Sequence, residues 1–263
     1  MMHNLFSFTV LSAIALSMIT RSCGDQEQKQ AEEQVFASGA ETESRGNDSL
    51  FNSVTGNVTM KQVASFPNKV ILMGLNDHRL VSVYKSTASR GNTTDYKYDY
   101  DSDESGDETS QHFMPGIDIL FGYNLLNIAH YDFKSEKGNF LFNHPVLVKT
   151  VYYPSLEQDS LDKLPVNRDF YLVSVYDEDT NKDTLINKKD LRRFYHFDAG
   201  GRVRTAIVPS NYSVLRSQYD PKNDVMYVFA RLDENKNGTQ EKSEPVHVFW
   251  FSLKAPGEAK LLY

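Results

Sequence analysis

Leu80-Val81-Ser82-Val83-Tyr84 recurs unchanged as Leu172-Val173-Ser174-Val175-Tyr176, and a looser third copy is Val228-Phe229-Ala230-Arg231-Leu232. Each stretch is short and rich in β-branched and aromatic residues, so each reads as a strand. The same neighbours return around every copy. One strand precedes it: Lys69 to Met73, Pro145 to Tyr152, Tyr212 to Tyr219. Another follows and ends in His130-Tyr131-Asp132, His196-Phe197-Asp198 or Trp250-Phe251-Ser252. A turn containing Gly138, Gly200-Gly201 or Gly257 then leads into Phe140-Leu141-Phe142, Val203 to Val208 or Ala259 to Tyr263. Self-similarity of this kind predicts an all-β chain of three four-stranded antiparallel units with unequal loops.

The second and third copies run straight into acidic loops. Counted from Asp179, oxygen-bearing side chains fall at loop positions one, three, five, nine and twelve: Asp179, Asn181, Asp183, Asn187 and Asp190. Counted from Asp233, positions one, three, five and twelve are Asp233, Asn235, Asn237 and Glu244, with Gly238 at position six. A hard cation such as calcium takes six to eight oxygens, and a twelve-residue loop supplies them at this spacing, with a backbone carbonyl at position seven. Those carbonyls belong to Leu185 and Thr239. Ca2+ is therefore the expected ion, with a structural role. An Asp/Asn-rich hairpin turn is the plainer alternative.

Both loops resemble the calcium loop of EF-hands, and the first is similar to the dockerin variant, which also uses Asp at position twelve. Each likeness spans about a dozen residues. Thr184 stands where that loop has Gly, and strands rather than helices lead in. The four-stranded units resemble β-propeller blades. Asn211 to Tyr263 is the most blade-like, and its Tyr219-Asp220-Pro221-Lys222-Asn223-Asp224 turn resembles that of TolB-type propellers. Three units are fewer than closed propellers use, so an open sheet stack or a sandwich stays open as an alternative. The first unit carries an insertion, Lys85 to about Pro115, at the position of the other acidic loops. It contains Asp99 to Glu108, in which Asp101, Asp103 and Ser105 match the calcium spacing only partly, so it reads as a solvated acidic loop.

Leu5 to Ile19 is apolar and uncharged, long enough for a signal h-region and short for a membrane span. The only cysteine, Cys23, follows at once. This resembles a bacterial lipoprotein signal, which implies cleavage before Cys23 and lipidation of it. Residues 1–22 are thus expected to be the signal peptide and 23–57 a flexible acidic tether. The β-repeat domain is expected over 58–263. Gln30-Ala31-Glu32-Glu33 resembles the export signals of surface lipoproteins in Bacteroidota. The expected location is the outer membrane, periplasmic or surface-exposed, held through the lipid.

With a net charge of −7, the chain lacks the basic surface that nucleic acid requires. No nucleophile elbow, HExxH, P-loop or dinucleotide fingerprint occurs. His130 and His196 occupy equivalent strand ends, which points to packing, and the adjacent Asp132 and Asp198 suit the capping of turns. The favoured function is non-catalytic binding or assembly at the envelope, with a protein or glycan partner. The rival is an envelope hydrolase acting on glycans or peptides, with calcium as a structural ion.

Overall fold

The structure, a computed structural model, describes residues 53–86 and 110–263. The signal segment, Cys23, the tether up to residue 52 and the acidic stretch 99–108 lie outside the described residues. Among the described residues the chain is all-β apart from one short 3-10 turn, Met60–Gln62. Its strands are β1 (Ser53–Thr55), β2 (Ser65–Ile71), β3 (His78–Lys85), β4 (Ser110–Met114), β5 (Ile117–Asp132), β6 (Lys137–Phe140), β7 (Leu147–Pro154), β8 (Asp159–Leu161) and β9 (Leu164–Val166). They continue as β10 (Phe170–Tyr176), β11 (Leu185–Asn187), β12 (Arg193–Asp198), β13 (Arg204–Ala206), β14 (Tyr212–Asp220), β15 (Val225–Leu232), β16 (Val246–Ser252) and β17 (Lys260–Leu261).

Each repeat folds as a meander: β2-β3-β5-β6, then β7-β10-β12-β13, then β14-β15-β16-β17, with all pairs antiparallel. The third unit stands as its own four-stranded sheet. The expectation of three separate four-stranded units needs correction for the first two, which share one nine-stranded sheet. The reason is the length of β5. Its C-terminal half pairs with β3 and β6, as the repeat requires. Its N-terminal half, Ile117 to Phe121, extends beyond the unit and pairs with β4 and β7. A register shift between Phe121 and Leu125 separates the halves. Gly122 permits it, since a Cβ there would lie 2.3 Å from the Val148 carbonyl oxygen. Among the described residues no sheet closes on itself.

The large sheet curls. β10 and β2 are four strands apart in its order, which in a flat sheet means about 19 Å. Yet the Tyr171 hydroxyl on β10 lies 3.5 Å from the sulfur of Met73, just past β2. Inside the curl Leu80, Leu120, Ile128, Phe142, Val151, Val173 and Phe197 pack into one core. The outer face of β7, β10 and β12 is covered by the four-stranded sheet. Tyr152, Leu172 and Phe194 pack there with Val214, Met226, Val228, Phe249 and Phe251. β10 therefore has apolar side chains buried on both faces, which is why its sequence lacks clean alternation.

A buried ion pair locks the two sheets. Arg168, before β10, meets Asp224, in the turn after β14, through two parallel bonds of 2.7 and 3.1 Å, and both side chains are under 5% exposed. The same guanidinium donates to the Leu253 carbonyl at 2.9 Å. Strand pairing begins before residue 58, because β1 pairs with β11.

The strand-end histidines serve packing and turns. Buried His130 lies against Tyr171 and contacts His78 at 3.1 Å and Asn139 at 3.3 Å. Burial and the neighbouring His78 hold its pKa below the ordinary imidazole value. His196 lies against Phe170. Asp132 accepts from the Lys134 amide, and Asp198 accepts from the Arg202 and Val203 amides, so both cap the turns that follow them.

Candidate metal centre

The two acidic loops leave β10 and β15 and share most of their internal hydrogen bonds. At position one, Asp179 Oδ1 accepts from the position-five amide of Asp183 at 3.0 Å, and Asp233 Oδ1 accepts from Asn237 at 3.1 Å. The other oxygen of each accepts from position six: Thr184 at 2.8 Å and Gly238 at 3.1 Å. Asn181 and Asn235, at position three, also accept from the position-five amides, at 3.0 and 2.9 Å. The position-five side chains of Asp183 and Asn237 accept from the position-seven amides of Leu185 and Thr239, at 3.0 and 2.8 Å.

Position twelve closes each loop in the same manner. Asp190 accepts from the position-two amide of Thr180 and the position-nine amide of Asn187, both at 2.8 Å. Glu244 accepts from Glu234 at 3.0 Å and Glu241 at 3.2 Å. The left-handed residues also coincide: Lys182 and Lys236 at position four (φ 62° and 58°), and Thr184 and Gly238 at position six (φ 75° and 72°). Thr184 thus adopts the conformation expected of Gly, because Asp179 captures its amide. A left-handed β-branched residue costs roughly 1–2 kcal/mol, and glycine returns about 0.5–1 kcal/mol of that as lost chain entropy. Thr184→Gly is expected to raise stability by up to about 1 kcal/mol in urea unfolding; a fall would show that the threonine side chain offsets its strain.

The position-eight segment of the first loop, β11, pairs with β1, Ile186 opposite Val54. The Gly56 amide donates to the Thr184 carbonyl at 2.9 Å. Alternation along an antiparallel pair then directs the Leu185 carbonyl away from β1, leaving it available to the loop.

The loops also touch. The Thr180 hydroxyl donates to the Gly238 carbonyl at 2.6 Å, and the Gln240 amide donates to the Lys189 carbonyl at 3.1 Å. A Cβ at position 238 would lie 2.0 Å from the Thr180 carbonyl oxygen, so that glycine is required twice, for its φ and for the approach. Thr180 was not marked by the calcium spacing, since position two carries no ligand. Glu241, at position nine, was also missed: its carboxylate takes the amide nitrogens of Asn235 and Asn237, at 3.3 and 2.6 Å, which orients their oxygens.

Three of the loop carboxylates are buried. Asp190 is 0% exposed, Asp233 7% and Glu244 8%, and among the described residues none has a basic partner. Their charges are met by amide N–H groups. Burial holds Asp190 above its ordinary carboxyl pKa, although the amides of Asn187, Asn181 and Thr180 pull it down. The donor set is all oxygen, mixing Asp, Asn and Glu, which fits a hard cation. Among the described residues no three His, Cys, Asp or Glu side chains gather into one cluster, so an ion would draw on the Asn and carbonyl oxygens as well.

No family model matches this chain, and no curated protein is significantly similar to it. The class that fold and loops define is an all-β repeat protein carrying paired twelve-residue acidic loops.

Proposed function

We propose that the chain is a calcium-binding lipoprotein of the cell envelope, non-catalytic, in which two ions brace the loop side of a β-repeat domain that binds or assembles with a protein or glycan. The ions serve Asp179, Asn181, Asp183, the Leu185 carbonyl and Asp190 in one loop. Asp233, Asn235, Asn237, the Thr239 carbonyl and Glu244 serve the other. The observation that carries this reading is the burial of Asp190, Asp233 and Glu244 without a basic partner, in two loops with closely similar internal bonding. A buried carboxylate without a counter-charge is costly, and a cation offsets that cost. The propeller-type relation is part of the proposal for Asn211 to Tyr263 only, where the four-stranded meander supports it.

Affinity in the weak range of extracellular modules, roughly 10⁻⁴ to 10⁻³ M, suits loops of two or three carboxylates. At ~2 mM calcium, a ~100 μM site would add about 1.8 kcal/mol to stability. Calcium should therefore raise the thermal midpoint over chelator and over magnesium, which demands near-ideal octahedral geometry. Asp179→Ala and Asp233→Ala should each remove part of the rise. Equal midpoints in calcium and magnesium would make the loops plain turns.

The envelope location rests on the apolar run that ends at Cys23. Cys23→Ser should release the protein from the membrane fraction after a carbonate wash, because a lipid anchor with several acyl chains supplies most of the membrane affinity. Full retention of the variant would contradict anchoring at that residue.

A further inference from the structure

The curl of the large sheet brings the turn after β6 against the turn before β13, leaving an open cleft of about 420 Å3 between them. That volume falls within the range of small-molecule sites. Its floor is aromatic: Phe142 and Phe197 meet edge to face at 5.6 Å, and Phe140 stands at the rim, half exposed. Arg202 and Arg204 line the opposite wall, and no carboxylate lines the cleft.

Both walls are fixed before any ligand arrives. Asp198 caps the turn that carries the arginines, through the Arg202 and Val203 amides. The Asn139 side chain ties the walls together by donating to the Gly201 carbonyl at 3.1 Å. The Arg204 guanidinium lies 4.5 Å from the Tyr195 ring centroid and 5.4 Å from that of Phe142. Behind it, one Nη group reaches Asp177 at 3.5 Å, and Asp177 also accepts from the Tyr195 hydroxyl at 2.8 Å. Asp177 is buried, whereas Arg204 is 41% exposed. Among the described residues the remaining Arg204 donors, and the whole Arg202 guanidinium, have no partner.

We infer that this cleft binds a small organic carboxylate through Arg202 and Arg204, with a flat apolar face laid on Phe140 and Phe142. The free donors select an acid group. Asp177 lies buried behind Arg204, and Asp198 is occupied by the Arg202 and Val203 amides, so the unpartnered guanidinium N–H groups of Arg202 and Arg204 are the donors left to the cleft. A planar guanidinium binds carboxylate through parallel N–H donors, and the phenyl rings accept either an aromatic ring or the C–H face of a sugar. The shared chemistry is therefore an acid group on a flat apolar face, found in aromatic acids and in uronic acids. This inference does not rest on the calcium assignment, although Asp177, which holds Arg204, precedes the first acidic loop by two residues.

The test is an amide chemical-shift titration of the full-length protein with sodium phenylacetate, with sodium glucuronate and with benzyl alcohol, which is uncharged. At least one acid should give saturable shifts in the millimolar range at residues 140–143 and 201–204, and which acid does so identifies the source. Benzyl alcohol should bind at least about tenfold more weakly. Arg202→Gln removes an exposed, unpartnered side chain and should weaken the acid about tenfold while leaving the thermal midpoint unchanged. No saturable shift with either acid would overturn the inference. So would benzyl alcohol binding as well as the acids, or Arg202→Gln binding as well as the parent.

Discussion

Asp224→Asn is expected to destabilise the domain by about 3–5 kcal/mol, the usual cost of breaking a buried ion pair by removing one partner. The substitution keeps an amino acid tolerant of the left-handed conformation at this position, where φ is 51°, so backbone strain does not confuse the result. What is lost is the charge that compensates Arg168, a side chain 3% exposed that has no route to water. For a domain of this size the midpoint should fall by about 6–20 °C. Arg168 also donates to the Leu253 carbonyl, so the large sheet should loosen its hold on the smaller one. Removing the orphaned charge as well, as in Arg168→Met with Asp224→Asn, should recover much of the loss, because no uncompensated charge then stays buried. Equal losses in the single and double variants would mean that the pair acts through backbone bonds alone. Guanidinium unfolding of the two variants beside the parent decides this.

Gly238→Ala carries the second large effect, and it reaches both loops. A methyl group there would sit 2.0 Å from the Thr180 carbonyl oxygen, a backbone atom that cannot rotate aside. The left-handed φ of 72° adds its own penalty for any residue with a Cβ. Together the two should cost about 2–5 kcal/mol, combining the left-handed penalty with that of overpacking. The loops would have to separate, losing the Thr180–Gly238 and Gln240–Lys189 bonds. Because position two of one loop is fastened to position six of the other, calcium binding should weaken in both. A variant that loses only the second site would show that the loops act independently.

The repeat was legible because each unit carries its own strands, turn glycines and alternation. Leu80–Tyr84 and Leu172–Tyr176 fall on equivalent strands, β3 and β10, and the strands of each unit follow the recurrence except that the fourth strand of the first unit, β6, covers Lys137–Phe140, so Gly138 lies in the strand and Leu141 and Phe142 follow it. The fusion of two units was not legible. Ile117 to Phe121 is apolar on both faces and has no counterpart in the other units, so the recurrence offers no partner for it. Nor could three residues such as Ser53–Thr55 declare a strand, since pairing with β11 across more than a hundred residues leaves no periodic mark. The oxygen positions of the loops could be read from spacing alone, because a twelve-residue cation loop is a local device. Thr180 and Gly238 could not be paired this way, since their contact joins segments 58 residues apart. The arginine cleft was equally invisible: it exists only because the sheet curls to bring residue 140 beside residue 202.

Calcium binding itself is measured by titrating chelator-stripped, full-length protein with calcium chloride in a calorimeter. The expected result is two ions per chain, with dissociation constants of roughly 10⁻⁴ to 10⁻³ M. One of them should be lost on Asp179→Ala and the other on Asp233→Ala. A titration without saturable heat, or one that magnesium chloride reproduces, would contradict the assignment of these loops as cation sites.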